Sequence, residues 1–245
     1  MVVLVTGSSR GIGAATIKEY AKNGYDVVIN YNNSLQDALK LQDEIKEYNV
    51  RSLILKCDIS NEEDVKDMVN TIMEELGSID VLINNAGIAI DTTFEDKTVS
   101  NFRRTLDVNL IGPFVLSRLV GDIMYKNKKG VIINVSSTNG LDTTYPESID
   151  YDASKAGLIS LTHNLAKQYS PYVRVNAICP GWVNTDMNKD LTIGFMEEEK
   201  QKILLKRFAE PEDIANAIYN ISISSYINDA IIRVDGGERP WILKN

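Results

Sequence analysis

The sequence predicts an α/β protein built on a doubly wound parallel sheet, with helices on both faces of the sheet. Short runs rich in β-branched residues recur at residues 2–6, 26–30, 52–56, 80–85, 130–136, 173–178 and 230–234. These runs are apolar on both faces, as strands buried within a parallel sheet must be. Longer segments with helical spacing separate them, which indicates repeated βαβ units. No linker interrupts the alternation, so we expect one domain over residues 1–245.

The first strand leads directly into a glycine-rich turn, TGSSRGIG at residues 6–13, and then into a helix at residues 14–23. The spacing differs from GxGxxG, but glycines here permit a tight turn and close approach of the backbone to a ligand. The helix N-terminus offers free N–H groups and a positive dipole to a pyrophosphate. We therefore predict a dinucleotide site; a turn that only packs the helix on the strand is the alternative. The predicted contacts are Gly7, Ser9, Arg10, Gly11, Ile12 and Gly13.

The second strand ends in INYNNS at residues 29–34, which contains no carboxylate. Sites that prefer NAD usually place an acidic residue there to hold the adenosine ribose hydroxyls. A 2′-phosphate would meet no repulsion at this point, and the guanidinium of Arg10 could pair with it. We therefore expect NADP(H) to be favoured over NAD(H).

An amphipathic helix is predicted at residues 35–45, and another follows the capping-box-like SNEE at residues 60–63. Between them the third strand ends in Cys57, Asp58 and Ile59, where Asp58 could accept from the adenine amine and Ile59 could pack on the ring. The fourth strand ends in small residues that would let a nucleotide lie against the backbone. These are Asn85, Ala86 and Gly87. Open α/β sheets bind ligands at the carboxyl ends of their strands.

Residues 101–125 are apolar on nearly all sides of a helix, as is the helix that follows Tyr151. Such helices are buried on nearly all sides, so we expect one face of each to meet another subunit.

The segment YDASK places Tyr151 and Lys155 four residues apart, on one face of a helix. A lysine ammonium beside a tyrosine favours the phenolate and lowers the phenol pKa from its usual value near ~10. The fifth strand leads to Ser137, at the same edge of the sheet. A second Tyr-x-x-x-Lys pattern, Tyr125 with Lys129, follows no hydroxyl-bearing loop, and we interpret it as surface.

The composition excludes several classes of function. A net charge of −8 argues against nucleic acid and an anionic membrane surface as partners. The two cysteines form no CxxC or Cys/His cluster, so we expect reduced thiols and no metal site. The second residue already belongs to a strand and no apolar run approaches bilayer-spanning length, so we expect a cytoplasmic protein without a signal peptide.

Taken in order, the motifs resemble those of the short-chain dehydrogenase/reductase family, in its shorter one-domain subclass. The matching segments are TGSSRGIG (6–13), CDI (57–59), NNAG (84–87), DVNLIGPF around Asn109, INVSS (133–137), YDASKAG (151–157), NAICPGWVNTDM (176–187) and VDGG (234–237). The resemblance covers nearly the whole chain and implies an NAD(P)-dependent oxidoreductase with a seven-stranded Rossmann-type sheet.

The resemblance also implies a catalytic tetrad of Asn109, Ser137, Tyr151 and Lys155. Tyr151 would be the general acid when a carbonyl is reduced and the base when an alcohol is oxidised. Ser137 would hydrogen-bond the substrate oxygen. Lys155 would bind the nicotinamide ribose and lower the pKa of Tyr151, and Asn109 would hold a water that links Lys155 to solvent. In the family, one segment receives the carboxamide of the nicotinamide. The residues of this sequence that match it are Pro180, Gly181, Val183 and Thr185.

We expect the loop 141–150 and a lid at about residues 186–205 to determine which substrate is bound. The lid contains three consecutive glutamates at residues 197–199, which we interpret as solvated. By resemblance the nearest group is the 3-oxoacyl-thioester reductases, which meet an acidic carrier protein. A basic patch could receive that carrier, formed by Arg103, Arg104, Lys126, Lys128 and Lys129. A dehydrogenase of a sugar, polyol or steroid-like alcohol is the alternative, and a non-catalytic nucleotide-binding protein is a remote one. The family also implies a homotetramer built through helices 100–125 and 151–169.

Overall fold

The computed structural model describes residues 1–188 and 191–238. Its strands are Val2–Val5 (β1), Asp26–Tyr31 (β2), Ser52–Lys56 (β3), Val81–Asn84 (β4), Gly130–Val135 (β5), Val173–Pro180 (β6) and Ile231–Val234 (β7). Within the described residues these seven strands form one sheet in the order β3-β2-β1-β4-β5-β6-β7, and every neighbouring pair is parallel. The predicted fold class is confirmed.

The α-helices of the described residues are Gly11–Lys22 (α1), Leu35–Glu44 (α2), Glu62–Leu76 (α3), Val99–Leu106 (α4), Gly112–Lys126 (α5), Ile149–Tyr169 (α6), Ile193–Lys202 (α7) and Pro211–Ile223 (α8). One face of the sheet packs against α1, α2 and α8, and the other against α3, α5 and α6. Alternation along β1 shows why both faces are covered. Val3 and Val5 point into one core and Val2 and Leu4 into the other, all of them buried.

Two helix starts differ from the sequence prediction. Helix α1 begins at Gly11, inside the glycine-rich turn, rather than at residue 14. Helix α3 is capped by Asn61, whose Oδ1 accepts the N–H groups of Glu63 and Asp64 at 3.0 and 3.4 Å. Ser60 is not the cap, because its hydroxyl donates to the Asp58 carboxylate at 2.6 Å. The helix cap therefore lies one residue after the predicted position, because a local hydrogen bond engages the Ser60 hydroxyl.

The predicted apolar helix 101–125 is interrupted between α4 and α5 by a π-helical turn at Asp107–Ile111. Proline has no N–H, so Pro113 cannot donate to the carbonyl of Asn109 as an α-helix requires. The N–H of Gly112 instead bonds the carbonyl of Asp107, five residues back. Gly112 also permits close packing, since a Cβ there would lie 2.6 Å from the carbonyl oxygen of Ile59.

This helical stretch, Val99–Lys126, corrects our expectation about membrane-spanning segments. By length and composition alone it is apolar enough to cross a bilayer, and half of the relevant window is buried inside the protein. The buried part includes Leu116, Val120 and Met124, which pack in the core beneath the sheet. These side chains are core residues of the fold, so part of the stretch is apolar because it packs inside the protein.

The five predicted basic residues do not form one patch. Arg103 and Arg104 lie in α4, whereas the three lysines lie at or beyond the end of α5, roughly 33 Å away along the helical stretch. Arg104 pairs with Asp58 at 3.2 Å, and Lys129 pairs with Asp80 at 2.9 Å.

Candidate active site

A cleft of about 710 Å³ opens at the carboxyl edge of the sheet, where strand order reverses between β1 and β4. Most of the predicted site residues line it. They are Gly7, Ser9, Arg10, Gly11, Ile12, Asp58, Ile59, Asn85, Ala86, Gly87, Ser137, Tyr151, Lys155, Pro180, Gly181, Val183 and Thr185. Gly13 and Asn109 lie behind the wall of the cleft. The structure therefore brings the predicted nucleotide and catalytic residues to one place.

The glycine-rich turn depends on a left-handed backbone at Gly7 and Gly11, with φ values of +60° and +57°. At Gly7 a Cβ would also lie 2.9 Å from the Cα of Ala86. Arg10 precedes α1, and its side chain makes no capping hydrogen bond to the first N–H groups of the helix. The turn and helix start thus offer donors and space to a phosphate, which fits the pyrophosphate of a dinucleotide.

Gly13 has a packing role rather than a contact with the cleft. A Cβ at this position would lie 2.6 Å from the carbonyl oxygen of Gly7 and 2.7 Å from Nδ2 of Asn85. Glycine is needed here because α1 passes so close to the turn that begins it.

Two asparagines support the turn from neighbouring strands. Asn85 Nδ2 donates to the carbonyls of Thr6 and Gly7, at 2.9 and 3.2 Å. Asn30, buried at the end of β2, accepts from the N–H of Gly7 at 2.9 Å and donates to the carbonyl of Cys57 at 3.2 Å. The sequence interpretation gave Asn30 no such role, although a buried amide ending an apolar strand was the available signal.

Asp58 is already bonded within the chain. Its carboxylate accepts from Ser60 and from the guanidinium of Arg104. Burial alone would raise the pKa of Asp58, but these contacts hold it below its ordinary value. Arg10, which also lines the cleft, is exposed, and its guanidinium lies 3.8 Å from the carboxylate of Asp186.

Tyr151 and Lys155 project from the first turns of α6 toward the end of β5. Lys155 Nζ donates to the carbonyl of Val135 at 2.8 Å and lies 5.4 Å from the centre of the Tyr151 ring. Gly87 keeps the cleft open beside this ammonium group, since a Cβ there would approach Nζ to 3.4 Å. The lysine is therefore within reach of both the tyrosine and a ligand in the cleft.

The pKa values of this pair differ from the sequence expectation. Burial raises the pKa of Tyr151 to about 12, against the lowering effect of a hydrogen bond with Ser137. Burial likewise lowers the pKa of Lys155 to about 8. We expected Lys155 to lower the pKa of Tyr151, but in the protein alone desolvation is the larger effect. At neutral pH Tyr151 holds its proton, as a proton donor must.

Asn109 is fully buried in the π-helical turn. Its Oδ1 accepts from the N–H of Ile88 at 2.9 Å, and its Nδ2 donates to the carbonyl of Ile88 at 2.8 Å and to Ser154 Oγ at 3.1 Å. Its side chain therefore ties the segment after β4 to α6.

A cluster of aromatic side chains that we did not predict lies beside the cleft. Trp182 stacks on Phe208 with centroids 5.6 Å apart and meets Tyr145 and Phe195 edge-on at 5.9 and 5.7 Å. Both Trp182 and Tyr145 line the cleft. Trp182 stands within the PGWVNTDM segment, but only the fold shows that its ring meets the loop 141–150.

The lid prediction needs one correction. Glu199, in α7, is buried rather than solvated, because it accepts from Tyr145 Oη at 3.2 Å and from Lys202 at 2.5 Å. Met187 and Leu191 line the cleft as part of the same segment. Lys189 and Asp190 of the predicted lid lie outside the described residues. Among the residues that the structure describes, we find no group of three or more His, Cys, Asp or Glu side chains that could hold a metal ion.

Comparison with known proteins agrees with this geometry. Residues 1–194 match the family model for short chain dehydrogenases. The chain is 36% identical to a 3-oxoacyl-(acyl-carrier-protein) reductase of Synechocystis sp., over 96% of each chain. It is 35% identical to the enzyme of that name, FabG, from Staphylococcus epidermidis, over 96% of this chain and 97% of the other.

A gluconate 5-dehydrogenase from Burkholderia cenocepacia, solved with NADP and tartrate, is similar in structure. Its TM-score is 0.90 at 25% identity, covering 96% of this chain and 94% of the other. With the family model, the relatives and the cleft in agreement, the chain belongs to the short-chain dehydrogenase/reductase family of oxidoreductases.

Proposed function

We propose that this oxidoreductase uses NADPH to reduce a carbonyl group to an alcohol, and that its substrate is a 3-oxoacyl thioester. The observation that supports the reaction most directly is the protonated Tyr151, which lies beside Ser137 and Lys155. These three residues line the same cleft as the glycine-rich turn. The names of the relatives from Synechocystis and Staphylococcus epidermidis support the substrate.

The cofactor would be held by residues at both ends of the cleft. The N–H groups at the start of α1 suit the pyrophosphate, and Lys155 Nζ suits the nicotinamide ribose hydroxyls. The end of β2 presents Tyr31, Asn32 and Asn33 to the cleft and no carboxylate, and Arg10 is free enough to meet a 2′-phosphate. These features favour NADP over NAD.

When bound, the reduced nicotinamide supplies a hydride to the carbonyl carbon. Tyr151 gives its phenolic proton to the carbonyl oxygen, so the product is a neutral alcohol. The hydroxyl of Ser137 donates to the same oxygen and stabilises the charge that develops there. The ammonium group of Lys155 then stabilises the tyrosinate, which must recover a proton before the next turnover.

In this proposal Asn109 helps to return a proton to Tyr151 by holding a water molecule. Both N–H groups of its side-chain amide are used by Ile88 and Ser154, and its Oδ1 already accepts from the N–H of Ile88, so we do not assign the water to the side chain. Its main-chain carbonyl lacks the α-helical donor that Pro113 would otherwise provide. We assign the water contact to that carbonyl, on the path between Lys155 and solvent.

A second candidate is the oxidation of a hydroxylated substrate. The loop side of the cleft carries Asp91, Asn139 and Ser148, which suit a polyol better than an acyl chain. Ser148 Oγ donates to Asp91 at 2.6 Å, so this polar wall is preformed. The structural similarity to a gluconate 5-dehydrogenase supports the same alternative.

The deciding measurement is absorbance of the reduced nicotinamide with a short 3-oxoacyl thioester, comparing NADPH with NADH and the wild type with Tyr151→Phe. We expect NADPH to be consumed by the wild type and a loss of at least about a hundredfold in the variant. Turnover that survives in Tyr151→Phe would contradict the assignment of the proton donor. Reduction of NADP by a polyol, with no thioester turnover, would select the second candidate.

A further inference from the structure

Asn139 makes two hydrogen bonds with the hydroxyl group of Ser137. It lies in the turn Thr138–Gly140, two residues after Ser137, and lines the cleft. Its main-chain N–H donates to Ser137 Oγ at 3.1 Å, and its Oδ1 accepts the hydroxyl of Ser137 at 3.2 Å. The first contact holds the oxygen in place, and the second offers its proton an acceptor beside Tyr151, with which Ser137 also forms a hydrogen bond.

The orientation of the Asn139 amide is in turn set by Asp152. Asn139 Nδ2 donates to Asp152 Oδ1 at 2.6 Å, and Asp152 Oδ2 accepts the main-chain N–H of Tyr145 at 3.2 Å. A carboxylate only accepts, whereas an amide side chain donates through nitrogen and accepts through oxygen. The amide nitrogen must therefore face Asp152, which leaves Oδ1 facing Ser137.

We infer that Asn139 and Asp152 are a positioning pair for the reaction, in a role that rests on the proposed reduction. Asp152 follows Tyr151 in α6, so one helical turn holds the proton donor and, through Asn139, the hydroxyl of Ser137. When a carbonyl substrate binds, the proton of Ser137 rotates from Asn139 Oδ1 to the carbonyl oxygen. The N–H of Asn139 keeps Ser137 Oγ in place during this change.

A purely structural role for Asp152 would give a different result. Its contact with the N–H of Tyr145 also fastens the loop 141–150, and losing that contact alone would lower the melting temperature without changing the chemical step. A positioning role predicts a change in kcat, coupled between the two residues, while NADPH binding is unaffected.

The experiment measures kcat, KM and the NADPH dissociation constant for Asn139→Ala, Asp152→Ala and the double variant, with NADPH and the thioester. Each single variant is expected to lose about tenfold in kcat, because Ser137 is no longer held in its productive position. The double variant should lose little more than either single one, since residues that act as a unit are not additive. The NADPH dissociation constant should change less than twofold.

Two further variants sharpen the test. The exchange Asn139→Asp with Asp152→Asn reverses the amide–carboxylate hydrogen bond while keeping an acceptor for Ser137 and one for Tyr145, and it should recover most of the lost kcat. Glu147→Gln removes a negative charge from an exposed side chain of the same loop and should behave as wild type. The inference would be overturned if the loss of kcat in the double variant equalled the combined losses of the two single variants. An equal loss of kcat in Glu147→Gln would also overturn it.

A readout without turnover separates this inference from the proposed function. Crystal structures of the wild type and Asp152→Ala should show Asn139 Oδ1 within hydrogen-bond distance of Ser137 Oγ only in the wild type. Retention of that contact in the variant would overturn the positioning role whatever the substrate is. Failure of the wild type to reduce the thioester, by contrast, would count only against the proposed substrate.

Discussion

The charge of Lys155 changes with pH in a range close to neutral pH. Its ammonium group is buried, which lowers its pKa to about 8, so it is charged below that pH and neutral above it. Tyr151, with its pKa raised to about 12 by burial, and Cys179, with its pKa raised to about 11, keep their protons across the same range. Of these three groups only the lysine changes charge near pH 8.

We therefore expect kcat/KM for carbonyl reduction to be constant below about pH 8 and to fall about tenfold per unit above it, as the charge that stabilises the tyrosinate is lost. A pH–rate profile at saturating NADPH measures this. A profile that rises through pH 8 would show that the neutral amine is the active form.

Arg10 is the residue on which cofactor choice is expected to depend. It is exposed at the rim of the cleft, and among the described residues its guanidinium pairs only with Asp186, at 3.8 Å. A hydrogen-bonded charge contact contributes about 1.5–3 kcal/mol, so Arg10→Ala should weaken NADPH binding by roughly 10- to 100-fold. NADH, which lacks the 2′-phosphate, should bind the variant as it binds the wild type. Fluorescence titration of both cofactors measures the difference, and equal weakening of the two would contradict the assignment.

At the scale of elements, the close approach of α1 to the turn before it can be tested through Gly13. In Gly13→Ala the new methyl group would lie 2.6 Å from a carbonyl oxygen, and such overpacking costs about 1–3 kcal/mol of unfolding free energy. Gly194→Ala is the matched control, because a Cβ there has no atom of the described residues within 4 Å. Thermal unfolding should show a lower melting temperature only for Gly13→Ala. Equal stability of the two variants would mean that the turn can move to accept a methyl group.

The parts of the site that could be predicted from the sequence are those that depend on residues close together in the chain. The glycine-rich turn needs a left-handed backbone at Gly7 and Gly11, and Tyr151 and Lys155 share a face because they are one helical turn apart. The burial of Glu199 could not be predicted, because its neighbours in sequence are solvated glutamates and only the packing of α7 against Tyr145 removes it from water. The raised pKa of Tyr151 is likewise a property of the assembled cleft.

At the scale of the whole molecule, the strand order explains why residues distant in sequence meet. Because all strands of the described sheet are parallel, their carboxyl ends lie at one edge, and the glycine-rich turn, Asn85, Ser137 and Gly181 follow four of them. Reversal of the order between β1 and β4 leaves a crevice there, since the connections leave in opposite directions. The cleft is thus a consequence of topology, and the side chains decide only what it binds.

The helical stretch from α4 to α5 makes a prediction about assembly. Ile111 and Phe114 remain 47% and 41% exposed in the single chain, on a stretch whose other faces pack in the core. Exposed apolar side chains on an otherwise buried helix are typical of a subunit interface. We expect a homotetramer in solution, and Ile111→Lys with Phe114→Lys should convert it to smaller species, as measured by light scattering after gel filtration. Phe94→Lys, at an exposed apolar residue outside that stretch, is the control and should leave the assembly intact. A wild-type monomer would show that this apolar face has another purpose.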